Sequence, residues 1–239
     1  MLSSSKLLSG AGSVRLPEMT TAELCVLGAM SNTLFDSGAW AWWMSTPPER
    51  RPALNDKTWK VLAARDLVAP SARRRTRVRV APAAAMIVAA RTEPAFIVLR
   101  RAGRGGEPEP TRMYGIADQR GLRRVLIEEA TAGSADWAGP AFGFQLASPD
   151  EAARVLTRWA TGPGPDPGAG PYEPRLIDVH RPRSRDPRPA QRIRVEASGA
   201  GWHVSGEPGR SSAPGPLQCD QDALTGRLLS TLTRAGRWR

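Results

Sequence analysis

Between Pro94 and Leu146 the chain offers four short runs that suit strands, and none of the stretches joining them reads as a helix. The runs are Phe96 to Arg100, Met113 to Ala117, Val125 to Glu128 and Phe142 to Leu146. β-branched and aromatic side chains fit a pleated, half-buried surface. The first connection, RAGRGGEPEPT (101–111), is a Gly/Pro loop, and Gln119-Arg120-Gly121 makes a turn. Parallel neighbours require a long crossover, usually helical, so this stretch predicts an antiparallel meander.

Helices are predicted on either side of it. Thr20 and Glu23 have the spacing of a capping box, with Met19 and Leu24 placed to staple it. Leu24, Leu27, Met30 and Leu34 then recur at helical spacing, interrupted beside the stripe by Gly28 and Ser31. Thr58 to Leu67 continues the pattern through Trp59, Leu62 and Ala63. Pro82 suits a first helical turn, because its missing N–H would have no partner there; the helix runs to Arg91, and Pro94 disfavours its continuation. Ser148-Pro149-Asp150-Glu151 supplies a cap, a proline at the first position and an acid at the capping-box position. TGPGPDPGAGPYEP (161–174) then breaks all periodicity.

Beyond that break the order partly repeats. Leu176 to His180, Ile193 to Glu196 and Trp202 to Val204 read as strands, and Asp220 to Thr233 reads as a helix with Leu224, Leu228 and Leu232 on one face. The fold class expected is α+β, with two related lobes of antiparallel sheet plus helices and a helical N-terminal part. The expected organisation is a disordered N-terminus at 1–18, a helical segment and first lobe at 19–160, a Gly/Pro connector at 161–174 and a second lobe at 175–239.

Two segments stand out as candidate binding surfaces. GAWAWWM (38–44) carries Trp40, Trp42 and Trp43, ended by Pro47 and Pro48. Such a payload packs between elements, or docks a partner, tryptophan being enriched in binding hot spots, or stacks a sugar or base. SARRRTRVRV (71–80) carries Arg73, Arg74, Arg75, Arg77 and Arg79. The alternation of Arg77 and Arg79 with Val78 and Val80 suits a strand with one basic and one apolar face. It reads either as a solvated hairpin or as a wing that touches phosphates.

The formal net charge is +11. A basic field favours an acidic partner, although an arginine-, alanine-, glycine- and proline-rich composition of the kind a GC-rich genome gives weakens that inference. Cys25 and Cys219 lack a CxxC spacing and read as buried thiols. His180 and His203, with Asp178 and Glu196, match no zinc spacing. No nucleophile elbow, phosphate loop or zinc-protease motif occurs. The expectation is a non-enzymatic protein with no cofactor and no metal. The N-terminus has no long apolar region, and Ala81 to Ala90 spans about half a membrane, which places the chain in the cytoplasm with no membrane partner.

Two resemblances bear on function. The words TTAELCVLG, LAARDLV, VAPAAAMIVAARTEPAFIVLRR, RMYGIAD, RRVLIEE, FGFQLAS and PDEAARVLTRWA, spread from Thr20 to Ala160, resemble the EspG-like family of actinobacterial type VII (ESX) secretion-associated proteins. That resemblance implies an α+β fold of two related lobes and a cytosolic, non-catalytic chaperone that binds a helical secretion substrate. LAARDLVAPSARRRTRVRVAP (62–82) resembles the end of a winged-helix DNA-binding domain. In that alternative the protein is a transcriptional regulator, and Arg73, Arg74, Arg75 and Arg77 contact DNA phosphates. Residues 34–56 before it are rich in Trp and Pro and do not supply the short turn and two helices of a helix-turn-helix.

Overall fold

A computed structural model describes residues 7–8, 12–30, 37–71, 74–103, 109, 111–132, 136–162, 173–182, 188–198, 201–208 and 217–238. Eleven strands and six helices lie among them. In order they are β1 (Val14–Thr20), α1 (Thr21–Val26), α2 (Ser37–Ser45), α3 (Arg51–Ala64), β2 (Val68–Ser71), β3 (Arg74–Val80), α4 (Pro82–Thr92), β4 (Ile97–Ala102), β5 (Arg112–Asp118), β6 (Gly121–Thr131) and β7 (Ala141–Ala147). Then follow α5 (Pro149–Thr161), β8 (Arg175–His180), β9 (Gln191–Ser198), β10 (Gly201–Pro208), β11 (Leu217–Cys219) and α6 (Gln221–Ala235).

Nine strands form one antiparallel sheet in the order β1-β7-β6-β5-β4-β8-β9-β10-β11, and β2 and β3 form a separate hairpin. The chain is thus α+β. From β4 onward it runs four strands and a helix, twice. The first strands of the two runs pair antiparallel, with Ile97 opposite His180 and Ala102 opposite Arg175. The strand order therefore reads outward from that pair in both directions.

The N-terminal part is not purely helical. β1, which begins in the stretch 1–18 expected to be disordered and runs past it, pairs with β7 at the sheet edge, and Leu16 and Met19 are buried. Its register shifts between Leu16 and Met19, around Pro17. An edge strand tolerates a proline, which has no N–H for the ladder. The expected helix to Leu34 stops early: α1 ends at Val26, and Gly28 adopts φ +69, the left-handed conformation that commonly ends helices. Its start is as expected. Glu23 N donates to Thr20 Oγ1 at 3.3 Å, and Thr20 N donates to Glu23 Oε2 at 2.8 Å.

The chain divides into two compact units, residues 1–93 with 128–146, and residues 94–127 with 147–239. The first is held by charge as well as by apolar contact. Arg91 and Glu128 form an ion pair with both side chains wholly buried, and Arg91 Nε donates to Ala29 O at 2.8 Å. Glu23, 1 % exposed, also pairs with Arg65 Nη1 at 2.5 Å. The second unit has a continuous aliphatic core. Phe96, just before β4, and Val98, Ile127, Ile177 and Val195 from the sheet pack with Leu156 of α5 and with Leu224, Leu228 and Leu232 of α6. The hydroxyls of Thr157 on α5 and Thr225 on α6 meet at 2.9 Å. Gly115 is required here, since a Cβ would lie 2.3 Å from the Phe96 ring.

Candidate functional site

Helix α2 follows from its composition and its ends. Ser45 Oγ and Thr46 Oγ1 donate to Trp42 O at 2.7 and 3.1 Å, closing the last turn. Pro47 and Pro48 then end it. Apolar residues occupy five successive positions, Trp40 to Met44. At about 100° per residue they encircle the helix instead of forming a stripe. Whatever side α2 buries, the other side stays apolar and wet. Ala39 is buried; Trp40, Trp42 and Trp43 are half-buried; Met44 is 65 % exposed.

The cluster is larger than the sequence suggested. Trp42 lies directly on Gly139, where a Cβ would stand 2.6 Å from two atoms of its ring system, and Gly139 holds φ +71. Two residues before it, Trp137 receives Lys57 Nζ at 3.9 Å from its ring centroid. The Arg51 guanidinium stands 5.1 Å from the Trp43 centroid, while its Nε donates to Thr46 O at 3.1 Å. Cations over aromatic faces are held by the ring quadrupole, for about 0.5–1 kcal/mol at exposed sites. Trp137, Gly139, Arg51 and Lys57 are the residues the sequence reading missed. Trp137-Ala138-Gly139-Pro140 carries a turn signal, but nothing in the sequence ties that turn to α2.

The arginine segment forms a different surface. Arg73 lies outside the described residues. Arg74, Arg75, Arg77 and Arg79 fall on β3, which pairs with β2 through Ser71↔Arg74, Pro70↔Val78, Ala69↔Arg79 and Val68↔Val80. Arg79 is exposed. The expected apolar face is not sealed, for Val78 is 49 % exposed. Arg79 also lines a pocket of about 220 Å³ together with Asp66.

The other titratable candidates are engaged structurally. Asp178, fully buried, accepts from Arg101 Nε at 3.1 Å and from Arg192 Nε at 2.6 Å. Burial pushes His180 below the ordinary imidazole range; Asp178 opposes that, and Arg101 and Arg192 add to it. Burial pushes the Cys219 thiol up, with Arg227 pulling the other way and Asp220 adding to the rise. A thiol held protonated is a poor nucleophile. Among the described residues no three His, Cys, Asp or Glu side chains gather as metal ligands would. No helix among them is long and apolar enough to cross a membrane.

No protein-family model and no curated protein matches the chain.

Proposed function

We propose that this chain is a non-catalytic, cytosolic, chaperone-like protein of the EspG-like kind, which docks a helical segment of a secretion substrate on α2. The observation that carries the reading is α2 itself, with Met44 65 % exposed beside three half-buried tryptophans. An apolar helix face of this kind suits a partner helix laid against it, and tryptophan anchors concentrate binding energy. Arg51 and Lys57 beside the rings favour a partner helix with acidic flanks.

The element order supports the same reading. Two runs of four strands and a helix, joined through antiparallel β4 and β8 in one sheet, repeat the element order that the resemblance implies.

The test is an affinity pull-down from the native host after nuclease treatment, with mass spectrometry and native mass of the retained complex. A helical protein held at a one-to-one ratio by the wild-type chain, and lost with Met44→Asp and Trp43→Ala, is the expected result. Equal capture by these variants would remove α2 from the proposal.

A second reading has its own observation. α3 leads directly into the β2–β3 hairpin that carries Arg74, Arg75, Arg77 and the exposed Arg79, the order of a helix followed by a DNA-contacting wing. On that reading nuclease treatment strips all partners. Duplex affinity then falls steeply with salt and drops when Arg73, Arg74, Arg75, Arg77 and Arg79 become alanine.

A further inference from the structure

A groove of about 420 Å³ opens between α6 and strands β9 and β10 in the second unit. That volume is within the range of small-molecule sites. Its origin is local. The buried face of α6 is Leu224, Leu228, Thr231 and Leu232; Thr231, at the edge of that face, lines the groove together with Arg227, Ser230 and Arg234. The four lining residues stand at i, i+3, i+4 and i+7, hence along one side of the helix. The sheet supplies Ile193 and Val204, both buried and apolar, and Gly206, which pairs with Ile193 across β9 and β10. Gly206 leaves space: a Cβ there would meet only a carbonyl oxygen at 4.0 Å.

The lining carries two arginines and no acid. Elsewhere in the unit arginines are tied to carboxylates, as Arg101 and Arg192 are to Asp178 and Arg194 is to Glu196. Among the described residues the Arg227 and Arg234 guanidiniums make no ion pair or hydrogen bond. A concave surface with an apolar floor, two uncommitted guanidiniums and flanking hydroxyls matches a molecule with an apolar body and an oxyanion.

We propose that the groove between α6 and the β9–β10 pair binds a small amphiphilic anion, its apolar part on Ile193 and Val204 and its oxyanion on Arg227 and Arg234. This site shares no residue with α2 or the β2–β3 hairpin, so it stands or falls independently of the proposed function.

The test uses two probes with the same aromatic body, anilinonaphthalene sulfonate and uncharged phenylnaphthylamine, titrated into the full chain and followed by fluorescence. The anionic probe also adheres to apolar surface elsewhere, so the quantity read is the component that Gly206→Leu removes. That variant fills the groove without backbone strain and is expected to abolish this component for both probes. Arg227→Gln with Arg234→Gln is expected to weaken the sulfonate at least about tenfold, two charge-assisted contacts being lost, and to leave the neutral probe within about twofold. Thermal melts establish that each variant is folded. Sulfonate binding unchanged by the arginine substitutions, equal loss of both probes on those substitutions, or no component lost with Gly206→Leu would overturn the proposal. Displacement of the sulfonate by decanoate or by adenosine monophosphate supports it and reports whether the groove prefers a carboxylate or a phosphate.

Discussion

Helices α2 and α6 arrange their apolar residues differently and meet opposite fates. In α6 three of the four leucines, Leu224, Leu228 and Leu232, form a single stripe and are buried, and Leu229 beside them is partly buried. In α2 the apolar residues are consecutive, and Met44 remains 65 % exposed. A stripe can be satisfied by one packing surface, whereas a girdle cannot. The units that carry them are alike in their cohesion: each combines buried apolar side chains with an ion pair on a fully buried carboxylate, Glu128 or Asp178, and with cations laid on tryptophans, as Lys57 on Trp137 and Arg100 on Trp159. Surface that a unit does not use for its own folding is available for a partner.

The largest effect expected from breaking this contrast comes from the buried charge of the first unit. Glu128→Gln removes the carboxylate that pairs with Arg91 in a site where both side chains are fully buried. The expected cost is up to about 3–5 kcal/mol, the range for removing one member of a buried ion pair, read from urea denaturation. Leu228→Ala in α6, at 1 % exposure, is expected to cost about 2–5 kcal/mol by the same measurement. The first change acts through electrostatics and the second through a cavity, so only the first is expected to be rescued by removing its partner, in Arg91→Met with Glu128→Leu.

Gly139→Ala comes next. It forces a Cβ against the Trp42 ring and into a left-handed backbone, for an expected loss of about 1–3 kcal/mol. Met44→Ala, on the open side of α2, is expected to change stability by no more than about 0.5 kcal/mol while weakening partner capture. A large stability loss there would mean that α2 is core and not surface.

The smallest effect is a pH dependence in the second unit. Burial holds folded His180 below its ordinary value of 6.5. As pH falls through the window just below that value, the unfolded chain takes up a proton that the folded chain does not. Stability is therefore fully present above the window and declines as pH falls through it. His180→Asn is expected to flatten the difference in urea midpoint between pH 7 and pH 5. An unchanged slope would place the titration elsewhere.

Much of the architecture was legible residue by residue. The caps at Thr20, Ser148 and Asp220 accept from Glu23 N, Glu151 N and Ala223 N respectively, as their side-chain types dictate. The meander from β4 to β7 follows from its connections. The candidate site was legible only in part. Trp40, Trp42 and Trp43 are conspicuous in the chain, but Gly139, on which Trp42 lies, is about a hundred residues away in sequence. The groove on α6 was not legible at all, since it depends on which helix face meets Gly206.

The sequence by itself determined where elements start, stop and turn, because capping, proline geometry and side-chain periodicity act over a few residues. Tertiary structure alone decided that β8 pairs with β4, so that strands expected in two lobes lie in one nine-stranded sheet. It alone decided that β1 joins that sheet through β7. Strand pairing over such separations is set by which backbone edges and apolar faces remain unsatisfied once local structure has formed, and no local residue pattern encodes that choice.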